Sequence, residues 1–293
     1  MKILDGKIVA AAVKEDIKKD VEAIISSGKR APHLAAVLAG NDGASETYVA
    51  SKIRNCGEVG IKSSLIRLPD TVSQNELKEV ITNLNNDDDI DGILVQLPLP
   101  RGLNEQEIIE LIKPAKDVDG FHPVNAGKLM LGAKGFIPAT PYGIMLMLNH
   151  YGLDITGKHA VVIGRSNIVG RPMSVLLSQN TEPGNCTVTL CHSRTRNLKE
   201  ICASADIIVA ALGKPGFLKA DMVKEGAIII DVGITRVPDP EKKSGYSIKG
   251  DVDFEEVSKK ASYITPVPGG VGLMTIGALL KNTVQAFHFN HQQ

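Results

Sequence analysis

The sequence predicts an α/β architecture in two domains, built on parallel sheet. Short apolar runs alternate with amphipathic segments along the whole chain, as in successive strand–helix units. The length of 293 residues fits two domains at roughly 100–200 residues each. In HAVVIGRSNIVGRP (159–172) a glycine turn joins a buried strand to a helix start. That arrangement makes the second domain Rossmann-like.

The elements of the first half follow from periodicity and punctuation. Ile8, Val9, Val13, Ile17, Val21 and Ile24 recur near helical spacing and predict a helix over 7–27. Residues 34–39 form a buried strand, 40–43 a loop, 44–56 a helix and 63–68 a strand. Ser73 and Glu76 have capping-box spacing and open a helix to about Leu84. The strand 92–96 stops at Pro98 and Pro100, and Asn104 with Glu107 repeats the capping pattern before a helix ending near Pro114. KDVDGFHPVN (116–125) reads as a loop. The prolines in KGFIPATPYG (134–143) mark the first domain boundary.

A helix over 143–152 opens the second half, with Gly152 as its C-cap. Strands at 159–163, 187–191, 206–210 and 227–231 then alternate with helices. The polar segment 236–250 is an exposed hairpin or loop, 263–265 a last short strand, TPVPGGVG (265–272) a rigid glycine-rich loop, and 274–289 a final helix. The expected division is 1–139 with 273–293 in one domain and 140–272 in the other.

Composition narrows the function. Lys plus Arg equals Asp plus Glu at 33 each, so there is no basic excess for nucleic acid or an anionic membrane. The chain has no Trp, six Phe and five Tyr, too few to suggest a stacking platform for single strands. The N-terminus carries acids from Asp5 onward, unlike a signal peptide, and no apolar run approaches ~18 residues. Cys56, Cys186, Cys191 and Cys202 form no CxxC pair. Neither a disulfide framework nor a metal site is expected, and a reducing cytoplasm fits.

The 164–172 loop has the makings of a dinucleotide site. Gly164 allows a tight turn, and the following helix start offers free N–H groups and a favourable dipole to a pyrophosphate. Ser166 stands where GxGxxG has its second glycine, and Gly170 follows later. An ordinary strand–helix turn is the alternative. The next strand ends in His192, Ser193, Arg194, Thr195 and Arg196 without an acid. That favours the 2′-phosphate of NADP over the free ribose hydroxyls of NAD, and Arg165 can reach the same place. Gly213 and Gly233 lie in two further turns at strand C-terminal ends, where open α/β sheets bind ligands.

Candidate acid–base groups sit in the first half. Tyr48 and Lys52 are four residues apart on one helix face, and desolvation can lower the pKa of such a lysine. A plain surface pair is the alternative. Gln96 ends a strand where an apolar residue is expected, with Pro98 stiffening the exit. Asp117 and Asp119 share a glycine-containing turn, where a carboxylate can either close an Asx turn or receive an amino-heterocycle. Pro268, Gly269 and Gly270 offer flexible backbone at the expected domain junction.

Taken in order, ILDGK (3–7), YVASK (48–52), DGILVQLPLP (91–100), KDVDGFHPVN (116–125), ATPYG (139–143), GRSNIVGRP (164–172), CHSRT (191–195), DVGI (231–234) and TPVPGGVG (265–272) span nearly the whole chain. As a set they resemble the bifunctional methylenetetrahydrofolate dehydrogenase/methenyltetrahydrofolate cyclohydrolase family, in its short bacterial-type form. The resemblance implies two α/β domains with a folate cleft between them, a homodimer, tetrahydrofolate derivatives as substrates, NADP as cofactor and no metal. It implies Lys52 as the central acid–base group, supported by Tyr48 and Gln96, with Asp119 anchoring the pterin. Substrate contacts extend to Leu97, Pro98, Pro268, Gly269 and Gly270. NADP contacts are Gly164, Arg165, Ser166, Ser193, Arg194, Gly213, Gly233 and Ile234. One activity passes a hydride to NADP, and the other hydrolyses the methenyl product to 10-formyltetrahydrofolate, with Lys52 largely neutral. One position departs from the family pattern: Leu273 stands where Pro is common, which loosens the helix start. A monofunctional NADP-dependent dehydrogenase on the same scaffold is the nearest alternative. Dehydrogenation of an unrelated alcohol and a non-catalytic nucleotide-sensing module are the others.

Overall fold

Strand β2 (His33–Ala39) is buried at every position, as expected of a strand paired on both edges and covered on both faces. Its neighbours are β3 (Lys62–Leu68) and β4 (Gly92–Val95), in a parallel sheet of order β3-β2-β4. This arrangement comes from a computed structural model that describes residues 1–242 and 245–291. Residues 243–244 of the polar segment and 292–293 of the C-terminal piece lie outside the described residues.

The chain divides into two compact units. One comprises Ala12–Ala139 and the chain from Ile276 onward. Its sheet is connected through α2 (Gly43–Glu58) and α3 (Gln74–Asn86), with α4 (Glu105–Leu111) following β4. The apolar side chains Ala35, Val37, Ile93 and Val95 pack with Leu77, Ile81 and Ile108 to form its core. The capping box at Ser73 is complete: its hydroxyl receives the Glu76 N–H and the Glu76 carboxylate receives the Ser73 N–H. At Asn104 only half of the pattern forms. Asn104 accepts from the Glu107 N–H at 3.2 Å, but the Glu107 carboxylate turns to Lys78 and Gln74.

One expectation is corrected here. The stretch read as a loop through Asn125 gives way to α5 (Pro123–Met130). Pro123 occupies the first turn, where its missing N–H costs nothing, and His122 Nδ1 caps the helix at the Val124 N–H. Ile8 belongs to α1 (Gly6–Ser26) but is 57% exposed, while Val9, Val13, Ile17, Val21 and Ile24 are buried.

The other unit comprises Met1–Ala11 and Thr140–Thr275. Its strands are β1 (Lys2–Ile3), β5 (His159–Ile163), β6 (Thr187–Cys191), β7 (Ile207–Ala210), β8 (Ile228–Asp231) and β11 (Tyr263–Ile264). They form a wholly parallel sheet of order β1-β11-β8-β7-β5-β6. The helices are α6 (Ala139–His150), α7 (Gly170–Ser178), α8 (Leu198–Ala203) and α9 (Phe254–Val257). The polar segment forms an antiparallel hairpin of β9 (Thr235–Pro238) and β10 (Tyr246–Lys249). The chain goes from β5 to β6 on one side and then crosses to β7 on the other. That reversal creates a switch point at the C-terminal ends of β5 and β7, where such sheets take ligands.

The N-terminus departs from the expected division. Lys2 and Ile3 pair with Tyr263 and Ile264, and the Asp5 N–H donates to the Tyr151 hydroxyl at 2.9 Å. Residues 1–11 therefore belong with the six-stranded sheet, because two residues of strand add an edge that periodicity cannot assign. The final helix, α10 (Val271–Asn290), begins inside the segment read as a glycine loop. The Leu273 N–H donates to the Gly270 carbonyl at 3.2 Å, a bond that Pro could not make.

Asn282 is fully buried in α10. Its amide donates to the Val118 and Ile137 carbonyls at 2.8 and 2.9 Å. Removing the donors leaves both carbonyls without this partner, at a cost of about 2–4 kcal/mol. Asn282→Ala is expected to lower the melting temperature clearly in differential scanning calorimetry. A melting temperature within a degree of the parent would contradict the assignment.

Candidate active site

Lys52 lies on the inner turn of α2, and Gln96 directly follows β4. The Gln96 N–H donates to the Val37 carbonyl at 2.9 Å, extending the sheet pairing by one residue. Its side-chain Oε1 accepts from Lys52 Nζ at 3.0 Å, and its Nε2 donates to the Leu97 carbonyl at 2.7 Å. Both halves of the amide are engaged, so the orientation of Gln96 is set and the position of Nζ with it. The Leu97–Pro98 peptide that follows is cis.

The two acids of the 117–120 turn have separate environments. Asp117 is 1% exposed. It receives the N–H groups of Phe121 and His122 at 3.2 and 2.9 Å and the Asn125 amide at 2.8 Å. It closes the turn and begins the path into α5. Among the described residues Asp119 has no such set of donors, and it is half-buried. Burial pushes its carboxyl up to about 6, against the pull of Lys52 and with a further push from Asp117. Burial also holds the Lys52 ammonium below the ordinary lysine range, while the Asp119 charge opposes that shift. Tyr48 sits one helical turn before Lys52 and is 42% exposed. The group can hold a neutral amine beside a fixed amide and an available carboxyl.

In the other unit the turn after β5 is tightly built. Gly164 has φ +125°, and a Cβ there would overlap the Ala211 carbonyl; a Cβ at Gly170 would overlap the Gly164 carbonyl. Glycine at these places lets β5, the loop after β7 and the start of α7 meet at the switch point. The expectation of free N–H groups at this helix start is corrected. The Ser166 hydroxyl accepts from Val169 and Gly170 at 3.1 and 3.4 Å, and its carbonyl accepts from Arg171 at 3.1 Å. Ser166 thus acts as a local cap where the glycine pattern has no side chain, which is why the sequence departs from GxGxxG there.

The turn after β6 is set by His192. Its Nδ1 accepts the Arg194 N–H at 3.1 Å, its carbonyl accepts from Thr195 at 2.9 Å, and its N–H donates to the Thr195 hydroxyl at 2.9 Å. Ser193, Arg194 and Arg165 are exposed around these turns. Ile234 is an apolar side chain left 47% exposed after β8. Pro268, Gly269 and Gly270 are less free than their composition suggests. Gly269 accepts the Gly6 N–H at 2.9 Å and Gly6 is pressed against the Gly270 carbonyl. Asp251, which the sequence did not single out, is fully buried and bonded to the loop at Gly213. Its only sequence signal is an acid after Gly250 at the end of the polar segment.

These features define a class: an α/β protein with a Rossmann-type dinucleotide scaffold in one unit and a half-buried lysine–amide–carboxyl group in the other. Two family models specify it further. The catalytic domain of tetrahydrofolate dehydrogenase/cyclohydrolase matches residues 4–119, and its NAD(P)-binding domain matches residues 138–291. The chain belongs to the tetrahydrofolate dehydrogenase/cyclohydrolase family. A protein of Porphyromonas gingivalis named bifunctional protein FolD is 57% identical over 285 residues, 97% of this chain and 96% of that one. The crystal structure of the bifunctional FolD enzyme of Campylobacter jejuni has a TM-score of 0.91 at 51% identity, covering 98% of each chain. The Trypanosoma brucei dehydrogenase-cyclohydrolase, solved with NADP cofactor and an inhibitor, has a TM-score of 0.92 at 37% identity, covering 99% and 98%.

The charge coupling is testable. Removing the Asp119 charge takes away the attraction that favours the ammonium. Asp119→Asn is therefore expected to lower the Lys52 pKa further, read as faster acetic-anhydride labelling of Lys52 at neutral pH. Slower labelling would reverse the sign of the coupling.

Proposed function

We propose that this chain is a bifunctional one-carbon folate enzyme. It oxidises 5,10-methylenetetrahydrofolate to the 5,10-methenyl form with NADP and hydrolyses that product to 10-formyltetrahydrofolate. The observation that carries the reading is the Lys52–Gln96 hydrogen bond at 3.0 Å beside Asp119, on a chain with a complete dinucleotide scaffold. The monofunctional alternative gives no account of why the lysine, the amide and the carboxyl are all retained. The 57% identical relative also bears a bifunctional name.

The residues present fit NADP. The backbone cradle at Gly164 has no space for a Cβ, Gly213 has open space beside it, and β6 ends in hydroxyl and cationic groups rather than an acid. Gly164, Arg165 and Ser166 would hold the pyrophosphate side. Ser193 and Arg194 would hold the 2′-phosphate, with Arg165 near. Gly213, Gly233 and Ile234 would border the nicotinamide half. When bound, NADP supplies the acceptor for the hydride of the methylene carbon. The protein contributes alignment to that step, a proximity effect.

Ring opening is the work of the lysine group. Asp119 accepts hydrogen bonds from the pterin amino-heterocycle as a carboxylate. Tyr48, Leu97 and Pro98 border the same ring system. A cationic lysine would repel the methenyl cation, and burial of Lys52 favours its neutral form. Neutral Nζ takes a proton from water as the oxygen bonds to the methenyl carbon. The bond from that carbon to N5 then breaks, N5 takes the proton back from Nζ, and the hydroxyl proton leaves to solvent as the formyl carbonyl forms. Gln96 holds Nζ in place throughout. The same reading makes the enzyme a cytoplasmic homodimer. Its four cysteines are free and buried, which supports a reducing compartment, and no helix of the described residues is long and apolar enough to cross a membrane.

Lys52→Ala is expected to reduce cyclohydrolase turnover by about 10²–10⁴-fold and to spare part of the dehydrogenase activity. Methenyl disappearance and NADPH formation are followed separately. Equal loss of both, with the folate still binding, would sink the division of labour. Parallel assays with NADP and NAD are expected to favour NADP. A clear NAD preference would overturn the reading of Ser193 and Arg194.

A further inference from the structure

We infer that Asp251 is a positioning residue for the dinucleotide site: its buried carboxylate holds residues 212–214, the loop after β7, in the shape that receives the cofactor. The inference rests on the functional reading above.

The carboxylate is fully buried and meets three successive backbone N–H groups. Oδ2 accepts from Leu212 and Gly213 at 2.5 and 2.9 Å, and Oδ1 accepts from Lys214 at 2.6 Å. Converging N–H groups of this kind form a concavity suited to an anion, and here the protein fills it with its own. Charge-assisted bonds of this type are stronger than neutral ones.

Asp251 is itself held by a second acid. Asp231, the last residue of β8, receives the Asp251 N–H at 2.8 Å, the Val252 N–H at 3.0 Å and the Gly233 N–H at 2.9 Å. The flanking backbone adds to this, with Gly216 donating to the Gly250 carbonyl and Leu218 to the Asp251 carbonyl, both at 2.9 Å. Two carboxylates in series therefore tie the ends of β7 and β8 to the segment after the hairpin. The arrangement also explains Gly233. A Cβ there would lie 2.5 Å from Asp251 Oδ1, so the glycine makes room for this carboxylate whatever it does for a ligand.

The location gives the bonds their functional weight. Ala211, just before the anchored loop, is the residue whose carbonyl abuts Gly164. The Ala211 N–H also donates to the Ile163 carbonyl at 2.9 Å. A shift of residues 212–214 is passed to the turn after β5. Asp251 touches the loop and would not touch the cofactor.

Asp251→Asn keeps the shape but supplies one acceptor oxygen in place of two. At least one of the three N–H groups then faces an NH₂. The full-length variant is expected to show amide exchange at 212–214 faster by about tenfold or more in the absence of ligand. Its NADP dissociation constant by titration calorimetry should rise about tenfold or more. In the dehydrogenase assay KM for NADP should rise while kcat changes little. Cyclohydrolase turnover of preformed methenyltetrahydrofolate, which needs no cofactor, should match the parent. Asp251→Glu serves if the Asn variant does not fold. It keeps the charge, displaces the loop by one methylene and should weaken NADP binding with ring opening retained. Unchanged NADP affinity in the folded variants would overturn the inference, and so would parallel loss of both activities. Parent protein measured alongside reports on the functional reading separately: parent that opens the methenyl ring and binds NADP upholds it, and parent that binds no NADP overturns both.

Discussion

A parallel strand cannot reach its neighbour by a tight turn; it needs a crossover of a dozen or more residues, usually a helix. Both main sheets of this protein obey that constraint throughout. Within each sheet the crossovers leave the C-terminal ends of the strands open, and most of the candidate chemistry lies there. Gln96 follows β4, Gly164 follows β5, Ser193 and Arg194 follow β6, Gly213 follows β7, and Gly233 and Ile234 follow β8. The helix residues Tyr48 and Lys52 gain their place because α2 is the crossover between β2 and β3.

Buried acids organise strand ends and loops, and they divide by what satisfies them. Asp91 is fully buried and is met by the Arg30 guanidinium at 2.7 and 3.0 Å. Asp117, Asp231 and Asp251 are met mainly by backbone N–H groups. Such carboxylates shape loops, because each one gathers donors that would otherwise need water. Among the described residues Asp119 has no comparable donors, and it stands near Lys52. The two acids of KDVDG, Asp117 and Asp119, differ only through their partners.

Much of this could be read along the chain. The strands 159–163 and 187–191 match their structural bounds, and the capping box at Ser73 forms as its spacing requires. These features are local: a buried strand is a continuous apolar run, and a cap is a contact over three residues. Helix α5 was missed because its start, His122-Pro123, looks like loop chemistry until the histidine is seen to cap it. The pairing of Lys2 and Ile3 with Tyr263 and Ile264 could not be read from the sequence, because a two-residue edge strand carries no period. Ser166 looked like a defect in a glycine pattern, and only its bonds to Val169 and Gly170 give it a purpose.

The sequence by itself determined the α/β class, the alternation of elements, the glycine turn after β5, the absence of an acid after β6, and the family to which the motif set points. These depend on residue type and short-range spacing, which the chain displays directly. Only the tertiary structure decided that Lys52 meets Gln96, that Asp117 serves the turn while Asp119 does not, and that Asp251 grips a loop 37–39 residues earlier in the chain. Partners so distant in sequence are chosen by strand order and crossover path, and neither periodicity nor composition encodes which carboxylate will find which donors once both are buried.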